Sequence, residues 1–406
     1  MNRTGQLPQP PDARLPFVDA APKDANAVPV GREHSSGRAP QRLAATPGPV
    51  AADEDHIHLR YSDDIRRDLI DLIRADEWWD YKLVPILSVF YATTLVLGGS
   101  LISRWTAAMS LVLSIVPAAA YTSVINDLTD QADDGAAGKR NRVAGRSRQM
   151  VLALLALTVG AGCVFLWLWR DDWRLQSFYV AVWLAFSLYS LPPLRFKKHG
   201  IAGVLCDAAG AHLFPALVAV FIAYRGTHRT VSAAWLTAVA IWSLTYGLRG
   251  ILWHQLSDAK NDLAANVRTF ARQYPTGAGV AGTFVVFPLE LGALAAMLWQ
   301  VGSVWPAAFL VLYVLYAIRS ARRWHTQPVI VRPKPRFFIV LHQFYSDLFP
   351  LALLIAAVLR DWHDLVVLVV HVSLFPRLTL QAIRRLSAST AKTAVSASDP
   401  HQGGFG

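Results

Sequence analysis

The sequence predicts an all-α membrane protein, a polytopic bundle of about nine transmembrane helices around a central cavity. Three observations carry this. Of 406 residues, 53% are hydrophobic and 17% charged, against roughly 25% charged in an average soluble protein, and mean hydropathy is +0.32. The apolar residues come in blocks of about twenty, the length that crosses a hydrocarbon layer of roughly 30 Å at about 1.5 Å per residue. The basic residues that bring net charge to +11 and pI to about 9.8 flank those blocks. They read as topology determinants, with no nucleic-acid partner implied. The two cysteines, Cys163 and Cys206, both fall inside apolar runs and read as buried thiols, which excludes a disulfide framework or a cysteine zinc site.

The elements follow in order. Residues 1–55 are rich in Pro, Ala, Gly and Arg without apolar period, the composition of a disordered tail, and they lack the apolar core of a secretory signal. Residues 56–80 read as an amphipathic, interfacial helix: Ile65, Leu69, Leu72 and Ile73 recur at helical spacing, and Trp78, Trp79 and Tyr81 form an aromatic belt. The transmembrane domain takes 81–376, with apolar runs at 82–103, 105–125, 150–169, 176–193, 201–224, 232–253, 278–300, 303–318 and 338–359. A further run, 362–376, holds His363, Asp364 and His371 and ends at Pro376; it is either a short tenth span or an interfacial helix. Residues 377–406 are a polar C-terminal tail.

With a cytoplasmic N-terminus, the inside loops are 126–149, 194–200, 254–277 and 319–337. They carry the basic clusters, among them Lys139, Arg140, Arg142, Arg195, Lys197, Lys198 and Arg332. The outside loops hold only Arg104, Arg170, Arg174, Arg225, Arg229 and Arg360. That bias places the N-terminus and the site mouth on the cytoplasmic side, and the membrane expected for the chain is a bacterial inner membrane.

Carboxylates at membrane depth are costly and usually functional. One cluster ends the second run. Asp127, Asp130 and Asp134 fall within about 60° of one another on a helix, while Asp133 points elsewhere. Such a stripe repels itself unless a cation sits among the oxygens, and an all-oxygen donor set favours Mg²⁺ or Ca²⁺. The alternative is a solvated helix end whose acids pair with Lys139, Arg140 and Arg142. A second cluster ends the sixth run, on the same membrane side. Asp258 and Asp262 lie one turn apart, about 40° around the axis and about 6 Å along it, and His254, one turn earlier, is a hydrogen-bonding or basic group. Two opposed acidic clusters suit a diphosphate bridged by Mg²⁺, which takes few protein carboxylates and completes its shell from phosphate.

These residues resemble the UbiA superfamily of intramembrane prenyltransferases. Asn126, Asp127, Asp130 and Asp134 match its NDxxDxxxD motif; Asp258 and Asp262 match its DxxxD motif. Tyr189-Ser190-Leu191-Pro192-Pro193-Leu194-Arg195-Phe196-Lys197 is similar to its YSxPPxRxK stretch. The resemblance covers roughly 76–360. It implies Mg²⁺-dependent transfer of a prenyl group from a prenyl diphosphate to an aromatic or lipid acceptor within the membrane. Asn126, Asp127, Asp130 and Asp134 would hold one Mg²⁺, Asp258 and Asp262 another. Lys139, Arg142 and Lys197 would hold the diphosphate, with Tyr189, Arg195, His254 and Gln255 lining the substrate site. Two features depart from the family: Asn141-Arg142-Val143-Ala144-Gly145 lacks the proline of its NRPxxxG stretch, and Tyr189 and Lys197 stand eight apart where some members read YxxxK. Two other readings stay open, phosphoribosyl transfer to a polyprenyl phosphate on the same fold and a cation-coupled transporter.

Overall fold

A proline inside a helix lacks an N–H, and its ring collides with the carbonyl four residues earlier. Most of the apolar runs contain one, and four of these prolines share a setting: Pro85, Pro215, Pro288 and Pro350. In the computed structural model, which describes residues 67–136, 138–259, 263 and 269–380, each of them follows a wide π turn. These turns are Trp79–Leu83, Ala209–Leu213, Gly282–Val286 and Phe344–Leu348. In every case the carbonyl facing the ring belongs to the middle residue of the turn (Tyr81, Ala211, Phe284, Ser346). The helix widens where the ring needs room.

The α-helices are α1 Ala75–Trp78, α2 Val84–Val96, α3 Trp105–Ala136, α4 Arg148–Leu168, α5 Trp173–Ser190, α6 Ile201–Ala208 and α7 Phe214–Tyr224. They continue as α8 Ala233–Ser257, α9 Phe270–Gln273, α10 Pro275–Ala281, α11 Phe287–Val301, α12 Val304–Trp324, α13 Phe349–Arg360 and α14 Leu365–Leu374. A short parallel strand pair, β1 Gln327–Val329 with β2 Phe337–Ile339, is added to the otherwise helical fold; Gln327 lies opposite Phe337.

Among the described residues, five helical stretches are long and apolar enough to cross a membrane: Ile102–Ala136, Arg148–Leu168, Ile201–Tyr224, Pro275–Val301 and Val304–Trp324. Each of the other apolar runs also folds as helix, but in shorter α pieces after a π turn or with polar residues such as Arg249. Length and composition therefore return five spans where the sequence reading counts about nine.

Packing explains the gradient of apolarity. Along α2, residues 84–95 are buried on every face, and α7 is buried from Pro215 to Tyr224; α5, α8 and α13 pack around them. At the periphery α4 and α12 expose Leu157, Val164, Trp167, Val311, Leu315 and Ile318. Apolar side chains turned outward along whole helices are the signature of a lipid-facing surface. Cys163 is exposed on α4, which corrects its reading as a buried thiol; Cys206 is half-buried, and its Sγ lies 3.0 Å from the Ala185 carbonyl.

The loops gather at two ends. At one end Lys139 meets Asp258 at 3.4 Å, Gly200 bridges Thr269, and Arg332 Nη2 donates to the Thr276 carbonyl at 3.4 Å. At the other, Arg104 donates to Arg225 O, Arg229 to Leu97 O, and Arg360 to Leu95 O and Val301 O. The first set comes from the loops read as inside, the second from those read as outside.

The sequence left the run 362–376 open. Its helix α14 has ten residues, half of what a bilayer needs. Asp364 accepts from Ser100 Oγ, Leu101 N and Ile102 N at one end of the first run, and the indole of Trp79 at the other end donates to Leu374 O. Arg377 then pairs with Asp76 at 3.1 Å. The segment thus follows the first run along its length. Residues 1–66 and 381–406, and with them most of both tails and the first part of the interfacial helix, lie outside the described residues. The remainder of that helix is interrupted: Arg74 has a left-handed φ of 53°, and α1 restarts after it. Leu72 is buried beside Val124, Val143 and Val151, whereas Leu69 is exposed.

Candidate active site at one end of the bundle

Helix α3 runs unbroken through Ala136, so Asp127, Asp130 and Asp134 do share a face. Their carboxylates, however, are separately engaged. Asp127 has 0% exposure; Arg74 Nη2 donates to its Oδ1, Arg74 Nε to its Oδ2 at 3.4 Å, and the Arg142 N–H reaches Oδ2 at 3.4 Å. Asp130 Oδ1 accepts from Lys197 Nζ and, at 2.6 Å, from Arg195 Nη2. Asp134 Oδ2 accepts from Asn141 Nδ2 at 2.8 Å. Among the described residues no three carboxylate, histidine or cysteine groups stand together as a ready metal cage.

The loop after α5 supplies the cations. Arg195, at a left-handed φ of 38°, turns the chain so that its guanidinium bonds Thr129 O, Asp130 and Asp133 at 2.7, 2.6 and 3.0 Å. Lys198 adds a 2.8 Å contact to Asp133. Lys197 Nζ lies 3.0 Å from Asn126 Oδ1 as well as on Asp130, and Ser190 Oγ donates to the same Asn126 oxygen at 3.4 Å. Burial pushes the Lys197 pKa down, and the Asp130 carboxylate opposes that shift. Tyr189, next to Ser190, is half-buried.

The second cluster joins through Lys139, whose Nζ reaches Asp258 Oδ2 at 3.4 Å. Asp258 sits at the C-terminal end of α8, its N–H donating to His254 O at 2.9 Å. His254 is exposed, its ring 6.4 Å from that of Trp253. Gln255 is buried, and its Oε1 accepts from the Ala271 N–H at 3.2 Å. That bond ties α8 to α9. Asp262 lies outside the described residues.

Several residues of the site were missed by sequence reasoning. Arg74, Asp71 and Glu77 come from the segment before the first run: Arg142 contacts Asp71 at 3.3 Å and Glu77 at 2.8 Å, and Arg140 contacts Asp71 at 2.7 Å. Asn141 organises the loop. Its Nδ2 bridges Asp127 O and Asp134, while its Oδ1 accepts from Val143 N and Ala144 N. Asp133, read as pointing away, is drawn in by Arg195 and Lys198. Deeper in the bundle, Asp207 lies in the field of Lys82 and His254, and His212 in that of Lys82 and His342. The His342 ring stacks on Tyr81 at 5.5 Å and that of His212 meets Tyr246 at 4.9 Å. A cavity of about 260 Å³ lies at the opposite end of the bundle, beside Thr94, Arg104 and Arg229, remote from the aspartates.

Two acidic motifs on successive halves of a helical bundle, meeting at one mouth, are mirrored in the sequence at large. Residues 86–342 match the UbiA prenyltransferase family. The chain belongs to that family. It is therefore an integral membrane protein with the UbiA fold and a prenyltransferase by family. A UbiA homolog from Archaeoglobus fulgidus solved with GPP and Mg²⁺ is similar at 15% identity and a TM-score of 0.50, covering 72% of this chain and 99% of its own. The Cd²⁺-bound structure of a UbiA homolog from the same organism is similar at 16% identity, with the same TM-score of 0.50 and the same coverage. No curated protein matches the sequence.

Proposed function

We propose that this UbiA-family chain transfers a prenyl group from a prenyl diphosphate to an aromatic or lipid acceptor, with Mg²⁺ at the motif aspartates and the mouth on the cytoplasmic side of a bacterial inner membrane. The observation that carries the reading is the pair of contacts that closes the mouth: Lys197 on Asn126 and Asp130, and Lys139 on Asp258. Cationic groups stand at both motifs, and the lysines are of the kind that binds phosphate.

The residues fit a divalent metal. Asn126 Oδ1 and Asp130 Oδ1 converge on one ammonium nitrogen, so two hard oxygens already face a common cationic point. Few protein ligands per ion is what Mg²⁺ shared with a diphosphate requires. Asn126, Asp127, Asp130 and Asp134 would hold one ion, and Asp258 with Asp262 a second. When bound, Mg²⁺ neutralises charge on the leaving diphosphate.

The chain's own groups do the rest. Lys139, Arg142, Arg195 and Lys197 are displaced from carboxylates onto phosphate oxygens and stabilise charge developing there as the C–O bond breaks. The apolar interior keeps water from the allylic carbon. The acceptor then bonds to that carbon, releasing diphosphate and one proton. A relative of the same fold solved with GPP and Mg²⁺ supports the donor class.

Calorimetric titration of purified protein with a prenyl thiodiphosphate, in Mg²⁺ and in EDTA, tests this. Mg²⁺ is expected to tighten the analogue strongly, and the analogue to tighten Mg²⁺ by the same factor. Asp130→Ala and Asp258→Ala are each expected to lose at least about tenfold of that affinity, about 1.4 kcal/mol, while remaining folded. Affinity indifferent to EDTA overturns the reading.

A further inference from the structure

The segment before the first run carries charge at every third residue: Asp68, Asp71, Arg74 and Glu77. None of these residues belongs to a family motif quoted above, yet all four reach the site or its basic loop. Asp68 pairs with Arg146 at 3.0 Å, Asp71 with Arg140 and Arg142 at 2.7 and 3.3 Å, and Glu77 with Arg142 at 2.8 Å. Arg74, the one cation among them, is on Asp127.

The order of charges is that of a metal diphosphate. Anionic groups lie on the basic loop 140–146, and a cation lies on the first aspartate of the motif. Asp127 has no exposed surface, so Mg²⁺ reaches it only by displacing Arg74. Burial acts to lower the Arg74 pKa, but Glu77 and Asp127 outweigh it, and the guanidinium is held firmly protonated. Its backbone is left-handed, with φ 53°, a conformation that a non-glycine residue keeps only when its surroundings enforce it.

Resting on the diphosphate reading above, we propose that Arg74 is a further diphosphate-binding residue that changes partners. As Mg²⁺ takes Asp127, the released guanidinium takes a phosphate oxygen, while Asp71 and Glu77 give up Arg142 to the same diphosphate. A planar guanidinium is well suited to the exchange, since carboxylate and phosphate offer it the same paired oxygens.

Partner exchange has a signature that a structural ion pair lacks: removing Arg74 moves two affinities in opposite directions. The experiment is calorimetry on the full chain in detergent with two probes, Mg²⁺ alone and inorganic diphosphate at saturating Mg²⁺. Arg74→Ala is expected to bind Mg²⁺ alone several-fold more tightly, because the competing cation is gone. It is expected to bind diphosphate about tenfold more weakly, the loss of one charge-assisted hydrogen bond. Arg74→Lys should fall between. Glu77→Gln provides a second arm that leaves the buried Asp127 pair in place, and it should tighten diphosphate by freeing Arg142. Both affinities of Arg74→Ala weakening together, either one unchanged, or Glu77→Gln weakening diphosphate would each overturn the exchange. A wild type that binds diphosphate with Mg²⁺ while the variants match it overturns this proposal alone; a wild type that binds none overturns the function as well.

Discussion

Glu290 is a carboxylate with 0% exposure, placed on a helix face that should hold apolar side chains. Its two oxygens accept from Arg249 Nε and Nη2 at 2.7 and 2.8 Å, and Tyr345 OH donates to Oε1 at 2.9 Å. Arg249 spends a further donor on Val340 O at 3.0 Å and lies 5.8 Å from the ring of Tyr246. Breaking such a pair strands a buried charge, at about 3–5 kcal/mol. Glu290→Ala should therefore lower stability by about that amount in a denaturant titration, whereas the double substitution Arg249→Met with Glu290→Leu should cost much less. Equal losses from the single and double variants would contradict this account. At this scale the sequence reveals residues that repeat along one helix, and hides those paired across the fold. The spacing of Asp127, Asp130 and Asp134 is visible because helical geometry alone relates them. The partner of Asp127 is 53 positions away, and nothing in either local pattern announces it. Gln255 shows the converse: it lies within the second motif's neighbourhood, but its side chain serves Ala271.

Among the elements, some helix starts are capped by side chains at both ends of the bundle. Asp172 accepts from Leu175 N at 3.1 Å at the start of α5, as Ser147 does from Met150 N at 3.2 Å at the start of α4 on the site side. Asp172→Ala removes that acceptor and is expected to cost about 1 kcal/mol, read as a lower unfolding midpoint with diphosphate binding unaltered. The extent of most helices was legible from apolar run length, because burial in lipid and in the core both demand it. The π turns were not read, although their cause is in plain view. Each lies ahead of a proline by a fixed offset, and the signal was lost because run length averages over interruptions. The short strands β1 and β2 escape for another reason: Gln327–Val329 is too short for a two-residue period to register.

For the whole molecule, the alternation of basic and poorly basic loops has a spatial counterpart in the two ends of the bundle. Charge bias groups the loops by end because it depends only on which loops lie together. It says nothing about the last run, where one short helix and Pro376 leave the count open. The contacts of Asp364 and Arg377 predict the outcome. In a background lacking Cys163 and Cys206, cysteines placed at Lys334 and Leu380 should be labelled by a membrane-impermeant reagent from one side, and a cysteine at Gly226 from the other. Leu380 labelling together with Gly226 would mean that the final segment does not return.

The Arg249–Glu290 pair also constrains how the chain is made. Arg249 is synthesised 41 residues before the carboxylate that neutralises it, and an unpaired arginine in a lone inserted helix is costly. Until α11 emerges, α8 carries that cost alone, and joining Glu290 relieves it, so the pair favours the two helices settling together.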